Sequence, residues 1–398
     1  MLVTHACRSA VRMVSLVVTV CVCVNSIAAQ GENSHFAPGD DNWVPQFLTA
    51  SLLTSDSNGP DSEAESSPLT VRPASCGATC DDDPLRPIGD LLRVGPNDNC
   101  CFANACCDPC QTWTASVGAV FVHRAMPKFQ PLISDPAAPG AGLNAADFNP
   151  GWAAGMDLGL TRHRAFDSAT DLEFRFFNVD DWSDSRTLRL NGNPLVIHTN
   201  PQTFVTGGRD VTSVYSSRLM SVEANARRCI GSRTTLLYGL RYMQLNERLL
   251  NRLTSGPGVG DILFTVAADN DLIGLQTGLV CDLLAGCDCC VQFYGKAGLY
   301  LNDAGQFSSL TNFSAPATTF TANGDQLSVA GSGEFGIVAR RRLCNNLSLQ
   351  AGYHVLGLHG VATAPGQLSR SGFLTGTGLD RNDTVMFHGA SLQLLLAY

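Results

Sequence analysis

Ten stretches of this chain alternate apolar residues with small or polar ones at a period of two, at about 111–124, 151–163, 169–178, 213–228, 233–246, 271–284, 290–302, 326–340, 346–358 and 385–398. That period places successive side chains on opposite faces of a β-strand. In 151–163, Trp152, Ala154, Met156, Leu158 and Leu160 share one face and Ala153, Gly155, Asp157, Gly159 and Thr161 the other. Most stretches exceed the roughly five or six residues of ordinary soluble strands and suit a tilted membrane-spanning strand of about 9–11.

Alternation alone also fits a soluble sandwich, with its apolar faces turned inward. The connections separate the two. They run long and short by turns: about 125–150, 179–212, 247–270, 303–325 and 359–384 are long, and about 164–168, 229–232, 285–289 and 341–345 are short. An up-and-down barrel with long external loops and short periplasmic turns has this rhythm, and a Greek-key sandwich has no reason for it. The sequence therefore predicts an all-β fold, a transmembrane antiparallel up-and-down barrel of ten strands over 111–398. Residues 202–205 and 262–266 are candidates for two more, which would make twelve. Closure is needed because every backbone donor and acceptor in lipid must be paired.

Composition agrees. Only 15% of the 398 residues are charged, and Gly is frequent at 38. No apolar run after residue 30 is long enough for a spanning helix, which needs about 18 residues. No Lys/Arg cluster marks a nucleic-acid face, so no nucleic-acid partner is expected. Residues 1–29 read as a signal peptide: Arg8 and Arg12, then an apolar Val14–Val24, then Ser26-Ile27-Ala28-Ala29. An acidic Ser/Asp/Gly/Pro-rich linker follows over 30–75, then a Cys-rich segment over 76–110, both expected in the periplasm.

The cysteines mark one end. Cys76, Cys80, Cys100, Cys101, Cys106, Cys107 and Cys110 precede the first strand, while Cys229, Cys281, Cys287, Cys289, Cys290 and Cys344 lie in or near short turns. In an oxidising compartment these predict disulfides fastening the lead-in to the barrel floor. The Cys107–Cys110 spacing could be half a metal site, but no His lies between residues 37 and 122, and neither metal nor cofactor is expected.

Asp157, Glu173, Arg175, Glu223, Arg241, Lys296 and Glu334 fall on the polar faces at similar depth, as a lumen belt. Two readings follow: a selectivity belt in a narrow pore for small solutes, or a plug of internal salt bridges. Lys296 and Glu334, on neighbouring strands, could pair. A structural or adhesive surface barrel acting through five long loops is the alternative. An outer-membrane hydrolase would need a rim of acidic residues and His. Asp180-Asp181 and His359 end two of the stretches, but neither Asp-x-His nor Gly-x-Ser-x-Gly occurs, and the chain reads as no enzyme.

The C-terminal Tyr398, with Leu396, Leu394 and Leu392 behind it on one face, resembles the signal read by the barrel assembly machinery of outer membranes. Leu236 to Glu247, LLYGLRYMQLNE, resembles a "GxRY-x-x-L-x-E" strand of the β-barrel porin-7 family of planctomycete bacteria. Asp271 to Gly278 is similar to its "F-x-G-x-Q-x-G" strand, and Lys296-Ala297-Gly298 to its "K-x-G". The resemblance covers about 111–398 and implies an outer-membrane barrel in contact with lipid.

Overall fold

The computed structural model describes residues 112–398 apart from 137–141, 190–194, 200–201, 206–207, 232, 256–259, 286–288, 314–315, 345 and 373–377. The signal peptide, the linker and the Cys76–Cys110 segment lie outside the described residues.

Ten strands close into an antiparallel barrel: β1 (Trp113–Arg124), β4 (Trp152–Asp167), β5 (Thr170–Arg189), β8 (Gly208–Gly231), β9 (Thr234–Ser255), β10 (Ile262–Ala285), β11 (Cys289–Asn312), β12 (Thr318–Cys344), β13 (Leu347–Val361) and β14 (Asp383–Ala397). Each pairs with its predecessor, and β14 closes on β1 through Thr114↔Ala397 to Arg124↔Phe387. Following pairs once around the ring from Trp113, through Arg162, Leu172, Ala226, Tyr238, Thr277, Ala297, Gly333, Gly357 and Met386, leads back to Ala125. The return is displaced twelve residues along β1, the stagger that tilts the strands and lets a sheet close.

The expected extra strands do not widen the ring. Thr203–Val205 is β7 of a small second sheet, ordered β3-β2-β6-β7, with β2 (Pro131–Ser134), β3 (Gly142–Asn144) and β6 (Leu195–Ile197). Ile262–Val266 is the first part of β10. The expectation of five long loops also needs correction. Between β9 and β10 the connection is only 256–261, and between β11 and β12 only 313–317. The remaining residues of those loops extend strands of 22 to 27 residues.

The long strands change character midway. Below the switch, as far as Arg228 and Arg341 beside the short turns, their outward side chains are uncharged and mostly apolar: Leu240, Ile273, Leu299, Val329 and Phe335 are all more than half exposed. The inward ones are polar. Towards the long-loop end the inward positions become apolar, with Val211, Tyr215, Leu249, Leu253, Phe264 and Val266 buried. There Arg218, Asp269, Asp303 and Asp325 point outward and are exposed. On β10 the switch falls between adjacent residues: Leu272 is buried inward and Ile273 is 59% exposed outward.

Three connections fold into the upper mouth. The second sheet and helix α1 (Ala364–Leu368) place Leu132, Ile133, Leu195, Ile197, Ala364 and Leu368 against the apolar upper wall. Asn270 holds the last of these connections. Its side-chain amide donates to the carbonyls of Leu245 and Ala362 at 3.2 and 2.8 Å, and its oxygen accepts from Ala362 N at 2.7 Å. Gly360, at φ +84°, makes the bend, and a Cβ there would stand 2.8 Å from the Val329 carbonyl.

Candidate functional site

The inward alternation brings six of the seven predicted belt residues into one network across the lumen. Asp157 and Arg175, on β4 and β5, meet through two bonds of 3.0 and 2.6 Å. Arg241 on β9 donates to Glu334 on β12 at 2.7 Å and lies 3.5 Å from Glu223 on β8. Lys296 on β11 reaches Glu223 at 3.0 Å and Glu334 at 3.3 Å, so the predicted neighbour pair forms but is shared. Arg175 approaches Glu334 at 3.8 Å and ties the two groups together. Glu173, the seventh, pairs instead with Arg227 at 2.7 Å, towards the short turns.

Three cations thus face three carboxylates, and the network carries no net charge. Neutral partners fill the remaining valences. Glu223 accepts from the amides of Asn225 at 3.0 Å and Gln276 at 2.8 Å, Arg241 donates to the Ser221 hydroxyl at 2.9 Å, and the Tyr294 hydroxyl donates to Glu334 at 3.1 Å. Glu223, Arg241 and Glu334 are buried. Burying charges this way costs several kcal/mol per ion, which the pairing and hydrogen bonds offset. Glycines make the room: a Cβ on Gly278 would meet Lys296 Cγ at 2.8 Å, and one on Gly298 the Tyr300 hydroxyl at 2.1 Å.

Above the network lies an apolar layer of Val179, Trp182, Leu219, Met243, Leu356 and Phe387, all buried. The Trp182 indole donates to the Val122 carbonyl at 2.9 Å, which fixes the ring across the lumen. Higher still, Arg124 and Glu247 form a buried salt bridge, with the Arg124 guanidinium 5.0 Å from the Tyr215 ring centre. Glu247 also accepts from Ala364 N, at the start of α1, at 3.1 Å. Below the network a polar cavity of about 160 Å³ opens towards the short turns, lined by Thr161, Asp171, Glu173, Arg227, Arg340 and Gln393 among others.

Arg227, Tyr294, Gln276 and the Arg124–Glu247 pair were not among the predicted belt residues. Arg227 was legible as an inward charge, whereas Glu247 lies just past the end of a recognised segment. Among the described residues, Cys229, Cys281, Cys289, Cys290 and Cys344 lie in the turn-proximal parts of β8, β10, β11 and β12. Cys344 is disulfide-bonded, and Cys281 and Cys289 are free thiols. Cys287 is outside the described residues. Leu392, Leu394, Leu396 and Tyr398 share the outward face of β14. Asp180 pairs with Arg218 at 2.8 Å on the outside of the wall, and His359 bonds Thr384 at 2.9 Å on the outside of β13. With β4, β1 and β14 between their strands, these two are not brought together.

No family model matches the chain, and no curated protein matches it. Among solved structures it is similar to the outer membrane protease OmpT from Escherichia coli, at 8% identity over 73% of this chain and 97% of that one, with a TM-score of 0.34. It is also similar to a Pseudomonas aeruginosa FadL homologue, at 11% identity over 78% and 95%, with a TM-score of 0.29. A third is the Ralstonia pickettii toluene transporter TbuX, at 10% identity over 72% and 90%, with a TM-score of 0.17.

Proposed function

We propose that this chain is an outer-membrane β-barrel whose lumen is plugged by internal salt bridges, and that it works as a membrane-anchored surface scaffold through its extended long-loop end. The observation that carries this is the neutral, interlinked network of Asp157, Arg175, Glu223, Arg241, Lys296 and Glu334 beneath a buried apolar layer. A selectivity belt needs an unbalanced field and a path past it, and these residues supply neither. The uncharged outward belt of the lower half supports lipid contact. The outer membrane is the compartment consistent with an exported, closed barrel, and the porin-7-like strand motifs agree with it. The cysteines and the C-terminal Leu392, Leu394, Leu396 and Tyr398 are consistent with a periplasmic short-turn end and delivery by the assembly machinery.

The polar cavity below the network favours a second reading, a gated path for small solutes entering from the short-turn side. Planar-bilayer recording separates the two. The scaffold reading expects no stepwise conductance at any voltage, in the wild type or in Arg241→Ala, because the apolar layer still seals the lumen. Steady open levels in the wild type would sink it. An epitope tag inserted within 256–259 should bind antibody on intact cells, and one within 286–288 only after the membrane is opened.

A further inference from the structure

The outward arginines of the lower half gather at its short-turn edge. At the short-turn edge of the uncharged belt the outward charged residues are Arg162 on β4, Arg228 on β8 and Arg341 on β12, all exposed and spread around the ring. Arg162 and Arg341 form no salt bridge among the described residues. Three strand carboxylates at this end turn into the lumen instead, where Asp171 lies 3.1 Å from His163 and Glu173 2.7 Å from Arg227, and Asp282 accepts from Gln292 at 2.7 Å. At the opposite edge Asp269, Asp271, Asp303 and Asp325 point outward, together with Arg218 and Arg248. Beside Arg162 the wall is aromatic. Its guanidinium lies 5.7 Å from the Trp113 ring centre, and Tyr398, 58% exposed, donates its backbone N–H to the Trp113 carbonyl at 3.0 Å.

We infer that Arg162, Arg228 and Arg341, with Trp113 and Tyr398, form a collar that binds the phosphate headgroups of anionic phospholipids in the leaflet at the short-turn side. This rests on the reading that the uncharged belt spans a bilayer. Guanidinium planes hold phosphate oxygens in a two-pronged fork, and indole and phenol rings settle at the headgroup level. The exposed carboxylate of Asp167, at the end of β4, lies beside Arg228. Arg162 and Arg341 have no such partner among the described residues, and a lipid phosphate is the anion they would meet.

The test uses the full chain in phosphatidylcholine vesicles that contain equal mole fractions of either brominated phosphatidylglycerol or brominated phosphatidylcholine. The Trp113 signal is the difference between wild type and Trp113→Phe. Phosphatidylglycerol should be enriched at Trp113 by about fivefold, the factor for one cation at an anionic surface. In Arg162→Gln the two lipids should quench equally, while Arg228→Gln/Arg341→Gln keeps the preference at Trp113. Native mass spectrometry should find fewer retained phosphatidylglycerol molecules on the double variant than on the wild type. Equal quenching in the wild type, or a preference that survives Arg162→Gln, overturns the inference. If neither lipid quenches Trp113 and the protein band does not shift on boiling, the membrane reading itself fails.

Discussion

The lower and upper halves of this barrel are built from the same strands with opposite polarity. Below, β8 to β12 carry Val222, Leu240, Leu275, Leu299 and Val329 outward and enclose Glu223, Arg241, Lys296 and Glu334. Above, they carry Arg218, Asp269, Asp303 and Asp325 outward and enclose Tyr215, Leu249, Phe264 and Val266. The backbone ladder runs through the change unbroken, as in the continuous β10–β9 register from Ile262↔Leu253 to Cys281↔Thr234. The difference teaches that alternation records two faces but not which face is wet. The apolar face turns outward below and packs against its own cap above; on the proposed reading, the level where the phase slips is the level of the membrane surface.

Substitutions can break this comparison. The largest effect is expected in the lower interior. Arg241→Ala leaves Glu223 and Glu334 short of a cation and should cost about 3–5 kcal/mol, read as a lower urea midpoint in phosphatidylcholine vesicles. A loss below 1 kcal/mol, roughly that of a surface pair, would mean the lumen is wet rather than sealed. In the upper interior, Leu249→Ala should cost about 3 kcal/mol by opening a cavity. The two variants should differ in kind: only the Arg241 loss should be partly recovered by also replacing Glu334 with Gln.

The outer surface gives the sharper contrast. Leu275→Arg, at a position 68% exposed, should cost about 2–4 kcal/mol in vesicles because the side chain faces hydrocarbon. A near-neutral result would remove the lipid-facing assignment of the belt. Tyr294→Phe should cost only about 1 kcal/mol, the hydroxyl's bond to Glu334. The smallest effect is expected for Thr321→Arg on the exposed upper wall of β12, within about 0.5 kcal/mol. If it cost as much as Leu275→Arg, the membrane would have to cover the upper half too.

Much of the lower half was legible in sequence. Period-two spacing identified ten strands, and it put Asp157, Arg175, Glu223, Arg241, Lys296 and Glu334 on inward faces, because a strand leaves its side chains no other choice. The recognised segments stopped near 246, 271, 302 and 326, while the strands run on to Ser255, back to Ile262, on to Asn312 and back to Thr318. Those are the places where the apolar residues change face. On β9 the apolar side passes from Leu240 and Tyr242 to Met243 and Leu245, and a pattern search at fixed phase reads the slip as the end of a strand. The mouth was illegible for another reason. Sheet β3-β2-β6-β7 uses strands of three or four residues, too short to show a period.

While the ring's closure at ten strands rather than twelve came from the structure, the sequence by itself determined an antiparallel up-and-down barrel, ten of its strands, which of their residues face in and which end carries the short turns. These follow from local rules, namely alternation, turn length and the need to pair every backbone group. Only the tertiary structure decided that the lumen charges join in one neutral network. Arg241 and Glu334 are 93 residues apart, and Lys296 and Glu223 are 73 apart. Whether such charges cancel or leave a path depends on the stagger of the ring, which sets their relative heights. No single strand contains that information.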